Sequence, residues 1–226
     1  QTLTRLFESG NGNGLADPKL RLIADDGRQY LKLSRETYDF ATMEPPPPLQ
    51  PGIARLYSSD FYADLKPRLR PGAVVSQWLP EYQLDQGATD LIVATFVEAF
   101  PHSFLFVGRG RELILAGSDL PFDFGQLARS LAVRGAVKAD LARAGLTSPH
   151  QVLATILRTT ESLVAEWGGA PVISDGYVSL EAIGGGRAYS IHPRNPFWPA
   201  KPGLGLDRED VRRALSRTAP GEVEAV

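Results

Sequence analysis

The alternation of apolar and polar residues in the first part of the chain predicts strands separated by helices. Residues 19–26 alternate in this way and run into Asp-Gly, which predicts a strand that ends in a turn. Residues 27–34 are enough for one or two helical turns. Residues 38–44 predict a second strand, and it stops at residues 45–48 because prolines cannot donate to a β-ladder.

The next stretch predicts a helix followed by an apolar strand. Residues 58–70 carry apolar side chains at helical spacing after a serine cap, and Pro71 and Gly72 are predicted to end this helix. Residues 73–79 form an apolar run that is typical of a strand buried on both faces. Together these segments favour an α/β sheet with helices on both faces.

A further helix and a hairpin complete the predicted sheet. Residues 86–100 repeat apolar side chains at helical spacing. Residues 103–107 and 112–116 read as two short strands, and the Gly-Arg-Gly sequence between them predicts an antiparallel connection.

After residue 118 the pattern changes to helices, predicted over residues 124–132, 137–144 and 149–167, the last capped by Ser148. A small strand over residues 177–183, a surface segment rich in proline and glycine over 187–205, and a short helix from Asp207 to about residue 216 follow. We therefore divide the chain into an α/β domain (1–118), a helical extension (119–183) and a tail (184–226).

Composition excludes several classes of function. A net charge of −2 over 226 residues gives no electrostatic reason to expect a nucleic-acid partner. The absence of cysteine excludes disulfides and thiolate metal sites, and three scattered histidines do not suggest a metal centre. No apolar run approaches the roughly 18 residues that a membrane-spanning helix needs.

Several motifs, in one order and spacing, resemble the spermidine synthase (polyamine aminopropyltransferase) family. They are YD before a short strand, an acidic residue followed by prolines, LYSSDFY, LRPGAVVSQWLPEYQL and ATFVEAFPHSFLF. DPKLRLIADDGRQYL and ISDG are similar to its bacterial fused branch, in which the domain follows a membrane-embedded segment. The resemblance covers roughly residues 5–183. It implies a Rossmann-like, methyltransferase-type sheet that ends in a hairpin, and aminopropyl transfer from decarboxylated S-adenosylmethionine to a diamine.

The resemblance also implies roles for individual residues. Asp26 stands where the family accepts a hydrogen bond from the adenine amino group, and Gly27 allows close backbone approach. Glu44 stands at the family's catalytic aspartate, which acts as base and amine anchor, and Gln77 stands near the diamine. The chain departs from the family where Pro47 replaces a second aspartate.

A second departure concerns Val107, which stands where the family offers an aromatic side chain to the diamine. The resemblance places the family's glycine-rich turn upstream of the matched residues. Gly10, Gly12 and Gly14 do not replace this turn, because they follow no predicted strand and open no predicted helix. We therefore expect the first two strands of the sheet to be missing here, and a longer polypeptide or another chain to supply them.

Three functions stay open at this point. The first is a transferase that is inactive as this chain alone, with decarboxylated S-adenosylmethionine or S-adenosylmethionine as co-substrate and no firmly bound cofactor. The second is a non-catalytic scaffold or accessory subunit of a larger, membrane-associated complex. The third is an S-adenosylmethionine-dependent methyltransferase, because one sheet serves both chemistries. The expected location is the cytoplasm, at the membrane face if the chain belongs to such a complex.

Overall fold

The computed structural model describes residues 14–46, 48, 52–80, 84–108, 112–133 and 135–176. The chain divides into two compact units, Gln1–Ser34 and Arg35–Val226, which are treated separately below. The predicted strand at 177–183, the segment at 187–205 and the helix that begins at Asp207 lie outside the described residues. The domain boundaries at residues 118 and 183 remain predictions.

The first unit contains a short 3₁₀ turn, Gly14–Ala16, and helix α1, Gly27–Leu33. Helix α1 confirms the predicted helical turns. The strand predicted over residues 19–26 is wrong, because these residues form no ladder and Leu20 and Leu22 are 50% and 55% exposed. An extended segment becomes a strand only when a neighbouring strand pairs with its backbone, and residues 19–26 form no ladder with a described strand.

In the second unit, the described residues form one five-stranded sheet in the order β1-β2-β4-β3-β5. Its strands are β1 (Tyr38–Met43), β2 (Leu69–Leu79), β3 (His102–Val107), β4 (Leu113–Ser118) and β5 (Ile156–Arg158). β1 runs parallel to β2, and all other neighbours are antiparallel. The α/β class and the predicted hairpin of β3 and β4 are confirmed. The resemblance implied that the hairpin forms the last two strands of the sheet, but β5 follows it in the chain and pairs with β3.

β2 begins earlier than its apolar run indicated. Helix α2 (Ser59–Leu65) and a 3₁₀ turn (Lys66–Arg68) end before Leu69, so Pro71 and Gly72 lie within the strand and do not terminate the helix. The register between β1 and β2 shifts at this point, from the pair Tyr38 and Leu69 to the pair Phe40 and Val74. A bulge of this kind accommodates a proline, since its residues need not donate to the ladder.

The helices after β4 also differ from the prediction in one place. Helices α4 (Phe124–Val133) and α5 (Gly135–Arg143) were expected, but residues 149–167 form helix α6 (Pro149–Leu153), strand β5 and helix α7 (Thr160–Trp167). β5 pairs with the edge of β3, which needed a partner for its backbone groups. At the start of α7, the backbone N–H of Thr159 donates a hydrogen bond to the Ser162 hydroxyl oxygen (3.0 Å).

Helix α3, Gln86–Ala99, packs its aromatic side chains against the sheet. The Phe96 and Phe100 rings are tilted against each other with centroids 4.9 Å apart, and Tyr62 contacts both rings edge-on. A Cβ atom on Gly117 of β4 would lie 2.6 Å from Phe100 Cβ, so a glycine is needed at this crossing. The packing holds the centre of the sheet in place, and with it the strand ends that surround the cleft.

No helix in the described part of the chain is both long and apolar enough to cross a bilayer.

Candidate functional site

An open cleft of about 450 Å³ lies where β1 and β2 end and β4 begins. The carboxyl ends of parallel strands are where open α/β sheets bind ligands. The cleft is lined by residues from three neighbouring strands and the hairpin: Thr42, Met43, Glu44, Ser76, Trp78, Gly108, Glu112 and Ile114.

Glu44 follows β1 directly and precedes Pro45 and Pro46, which are called the proline loop below. The buried Tyr57 hydroxyl donates to the carbonyl oxygens of Pro45 (3.2 Å) and Pro46 (3.3 Å). Burial raises the pKa of Tyr57 well above its usual range, so the phenol remains a neutral donor at physiological pH. The Glu44 side chain is exposed and has no hydrogen bond or ion pair with any described residue. Its carboxylate is therefore available to a ligand.

Alternation along β2 separates Gln77 from the cleft. Ser76 and Trp78 line the cleft, so Gln77 points to the opposite face of the sheet, where it is fully buried. There the Tyr62 hydroxyl donates to Gln77 Oε1 at 2.5 Å, and burial raises the pKa of Tyr62 above its usual range. The Gln77 Nε2 atom has no partner among the described residues. The structure does not bring Gln77 to Glu44, and a substrate-binding role for Gln77 stays a prediction.

The two residues predicted to bind the adenosyl group lie in the first compact unit. The Asp26 carboxylate accepts the Gln29 amide (2.9 Å) and so caps helix α1. A Cβ atom on Gly27 would meet no described atom within 4 Å, so the packing around it does not demand a glycine. Their role in binding the co-substrate remains a prediction.

Two cleft residues were not singled out from the sequence. The Trp78 indole N–H donates to Glu112 Oε2 at 2.5 Å. Trp78 lies opposite Ile114 in the ladder, and Glu112 shares the face of Ile114 because it is two residues away. The register between β2 and β4 places Glu112 diagonally across from Trp78, and the sequence carries no local signal for that register.

The two remaining departures from the family pattern can also be located. Val107 is the last residue of β3 and is not a lining residue of the cleft, so the aromatic side chain at this site is Trp78. Pro47 lies outside the described residues.

The side chains that line the cleft favour a cationic ligand. Among its described lining residues are two carboxylates, Glu44 and Glu112, and no lysine, arginine or histidine. Within the described ranges, no group of histidine, cysteine, aspartate and glutamate side chains is arranged to hold a metal ion. Carboxylates are acceptors only, so they match the N–H groups of an ammonium.

Over short stretches the chain is similar to curated polyamine aminopropyltransferases. A polyamine aminopropyltransferase 2 from Pseudomonas aeruginosa is 43% identical over 61 residues, which are 26% of this chain and 18% of the relative. One from Aquifex aeolicus is 33% identical over 64 residues, 28% of this chain and 13% of the relative. The chain therefore matches less than a fifth of the length of either relative.

Among solved structures, a probable spermidine synthase from Corynebacterium glutamicum aligns with 71% of this chain and 56% of its own. The TM-score is 0.48 and the sequence identity is 15%. No protein-family model matches the chain.

Proposed function

We propose that the cleft is the amine-binding part of an aminopropyltransferase-like site, in which Glu44 binds the reacting amine and accepts its proton. One observation carries this proposal. Glu44 places a carboxylate with no partner among the described residues in a cleft at the end of a parallel strand. The similarity to proteins named polyamine aminopropyltransferases supports aminopropyl transfer to an amine as the chemistry.

The reaction asks two things of the residues in the cleft. An alkylamine is an ammonium at neutral pH, and its nitrogen must lose a proton before its lone pair can attack. Glu44 attracts the ammonium, holds it by a charge-assisted hydrogen bond and takes up the released proton. When bound, the co-substrate decarboxylated S-adenosylmethionine supplies a carbon activated by a sulfonium.

Positioning is the second requirement. A base held in a fixed position catalyses the transfer better than a mobile one, because alignment of the reacting groups supplies much of the reduction of the activation barrier. The Tyr57 hydrogen bonds to Pro45 and Pro46 restrict the backbone that follows Glu44, and proline itself fixes one of the two backbone dihedrals. The proline loop therefore serves to hold the carboxylate at the mouth of the cleft.

Binding of the co-substrate that donates the aminopropyl group needs further strands beside β1. In the described structure β1 pairs with β2 alone, and Phe40 on this edge strand is 57% exposed. An edge strand with an exposed aromatic side chain is a surface on which a further strand can pair. We propose that strands from a longer polypeptide, or from another chain, pair with β1 and complete the co-substrate site.

Calorimetric titration of the 226-residue chain with 1,4-diaminobutane tests the role of Glu44. We expect measurable binding, and we expect Glu44→Gln to weaken it about tenfold or more, because a hydrogen bond to a charged group is worth about 1.5–3 kcal/mol. Glu98→Gln is the matched control, since Glu98 is exposed on α3 and does not line the cleft.

Two outcomes would contradict the proposal. If the wild-type chain binds no diamine, or if Glu44→Gln binds as tightly as wild type, the cleft is not an amine site built on Glu44. The non-catalytic scaffold would then be the better explanation of the fold. Binding that depends on Glu44 would place an amine acceptor in this cleft, as the proposal requires.

A further inference from the structure

Residues 173–175, called the strap below, follow helix α7 and are hydrogen-bonded to helices α2 and α3, which lie far from them in the chain. Two hydrogen bonds hold the backbone of Ile173. Its N–H donates to the Thr95 hydroxyl oxygen (3.0 Å), and its carbonyl oxygen accepts from the Ser59 N–H (2.8 Å). The Ile173 side chain is also buried. The strap is therefore anchored to the start of α2 and to α3 at one point.

Asp175 attaches the strap a second time, at the residues on which α2 begins. The Ser58 hydroxyl donates to Asp175 Oδ1 (2.8 Å), and the Asp60 carboxylate accepts from the Asp175 N–H (2.8 Å). Ser58 is the N-cap of α2, because its side-chain oxygen accepts from the Phe61 N–H (3.1 Å). A hydroxyl has one proton, and the Asp175 carboxylate is a closer and stronger acceptor than the Arg55 carbonyl (3.0 Å). The N-cap residue is therefore fixed on the strap.

The position of Ser58 affects the cleft because the residue before it is Tyr57. The Tyr57 side chain is fully buried, and its hydroxyl donates to the carbonyl oxygens of the proline loop. The proline loop in turn follows Glu44 directly. Close-packed side chains transmit displacement to their neighbours, so a shift of Ser58 moves the Tyr57 ring and, through it, the loop.

We infer that the strap sets the position of the Glu44 carboxylate through Ser58 and Tyr57. This inference rests on the proposed function, because it concerns how the carboxylate that binds the amine is aligned. Asp175 does not line the cleft, so it is a positioning residue that acts through its hydrogen bond to Ser58. A displacement of about 1 Å is enough to damage an aligned site, so a small change at the strap should be measurable in the cleft.

The test is a double-variant cycle measured by calorimetric titration of the full 226-residue chain with 1,4-diaminobutane. Asp175→Ala removes the acceptor of the Ser58 hydroxyl and should weaken diamine binding about threefold to tenfold, the range that the loss of one hydrogen bond produces. Tyr57→Phe removes the link to the proline loop and should weaken binding at least as much. When Asp175→Ala is added to Tyr57→Phe, the affinity should change by less than about twofold, because the strap then has no route to the loop.

Three further variants separate this effect from a general loss of structure. Asp175→Asn keeps an oxygen that accepts the Ser58 hydroxyl, so it should bind within about twofold of wild type. Asp123→Ala is the matched control, since Asp123 also accepts a backbone N–H (from Gln126, 2.8 Å) but lies outside the cleft and the strap. It should leave the affinity unchanged.

Asp175→Ala is expected to fold, because the Ser58 proton can turn to the Arg55 carbonyl, and a thermal melt checks this. If it does not fold, Asp60→Ala replaces it in the cycle. That change removes an exposed carboxylate that holds the Asp175 N–H, and it should weaken diamine binding only while the Tyr57 hydroxyl is present.

The outcomes separate the inference from the proposed function. If Glu44→Gln weakens diamine binding but the strap variant does not, the strap does not position the carboxylate and only the inference is overturned. Equal effects of the strap variant with and without the Tyr57 hydroxyl also overturn it, because the strap would then act by another route. If wild type binds no diamine, the proposed function fails and the inference fails with it.

Discussion

Replacing Tyr62 with phenylalanine removes a hydroxyl group from the core and leaves the aromatic ring in place. In the structure this hydroxyl donates to Gln77 Oε1, and both residues are 0% exposed. The ring contacts with Phe96 and Phe100 (centroids 5.7 and 5.5 Å) do not involve the hydroxyl and survive the change. Tyr62→Phe leaves the Gln77 amide buried with no partner among the described residues, so we expect the free energy of unfolding to fall by about 1–3 kcal/mol.

Gln77→Met removes the same buried hydrogen bond by deleting its acceptor in place of its donor. It leaves the Tyr62 hydroxyl buried without its acceptor, which again costs about 1–3 kcal/mol. It also removes the unpartnered Nε2 atom, and this gain offsets part of the loss. In the double variant neither polar group remains, so its destabilisation should be smaller than the sum of the two single effects by about 1 kcal/mol or more.

Urea unfolding of the four proteins at neutral pH, followed by circular dichroism, measures this coupling. Diamine titration of Gln77→Met gives the second readout. Because Gln77 faces away from the cleft, the affinity should stay within about twofold of wild type. Additive single effects would show that the buried bond does not form. A tenfold loss of diamine affinity would show that Gln77 contacts the ligand, as the family resemblance implied.

Two further predictions concern the core. Gly117→Ala places a Cβ atom 2.6 Å from Phe100 Cβ and 2.8 Å from Phe96 Cε1, so overpacking should cost about 1–3 kcal/mol and lower the melting temperature, whereas Gly87→Ala (nearest contact 3.6 Å) should not. If Gly117→Ala and Gly87→Ala have equal melting temperatures, Gly117 is not crowded by the two phenylalanines. Raising the pH above about 10 should destabilise the fold, because the pKa values of Tyr57 and Tyr62 are raised by burial and only the unfolded chain loses these protons there. Urea unfolding at increasing pH should show Tyr57→Phe with a shallower decline than wild type, by up to about 1.4 kcal/mol per pH unit, and parallel declines would contradict this.

Local sequence patterns determined much of the second unit. Helical spacing over residues 86–100 and apolar runs at the strands of the sheet were sufficient to predict α3, β1, β3 and β4, because each pattern specifies which face of its element is buried. Gly-Arg-Gly between two apolar runs was sufficient for the hairpin. The position of Glu44 beside the cleft also follows from its place at the carboxyl end of β1, whereas its role was implied by the family resemblance and stays a prediction.

Pairing between distant segments was decided by the tertiary structure alone. The alternation in residues 19–26 predicted a strand that has no ladder, whereas residues 156–158 form one because the edge of β3 is there to pair with them. The arrangement of side chains around the cleft was also decided by pairing between distant segments. Strand alternation turns Trp78 toward the cleft and Gln77 toward Tyr62, and the register between β2 and β4 brings Glu112 to Trp78. Sequence shows which residues can form a hydrogen bond or bury a side chain, but which partner each one meets depends on how elements far apart in the chain come together.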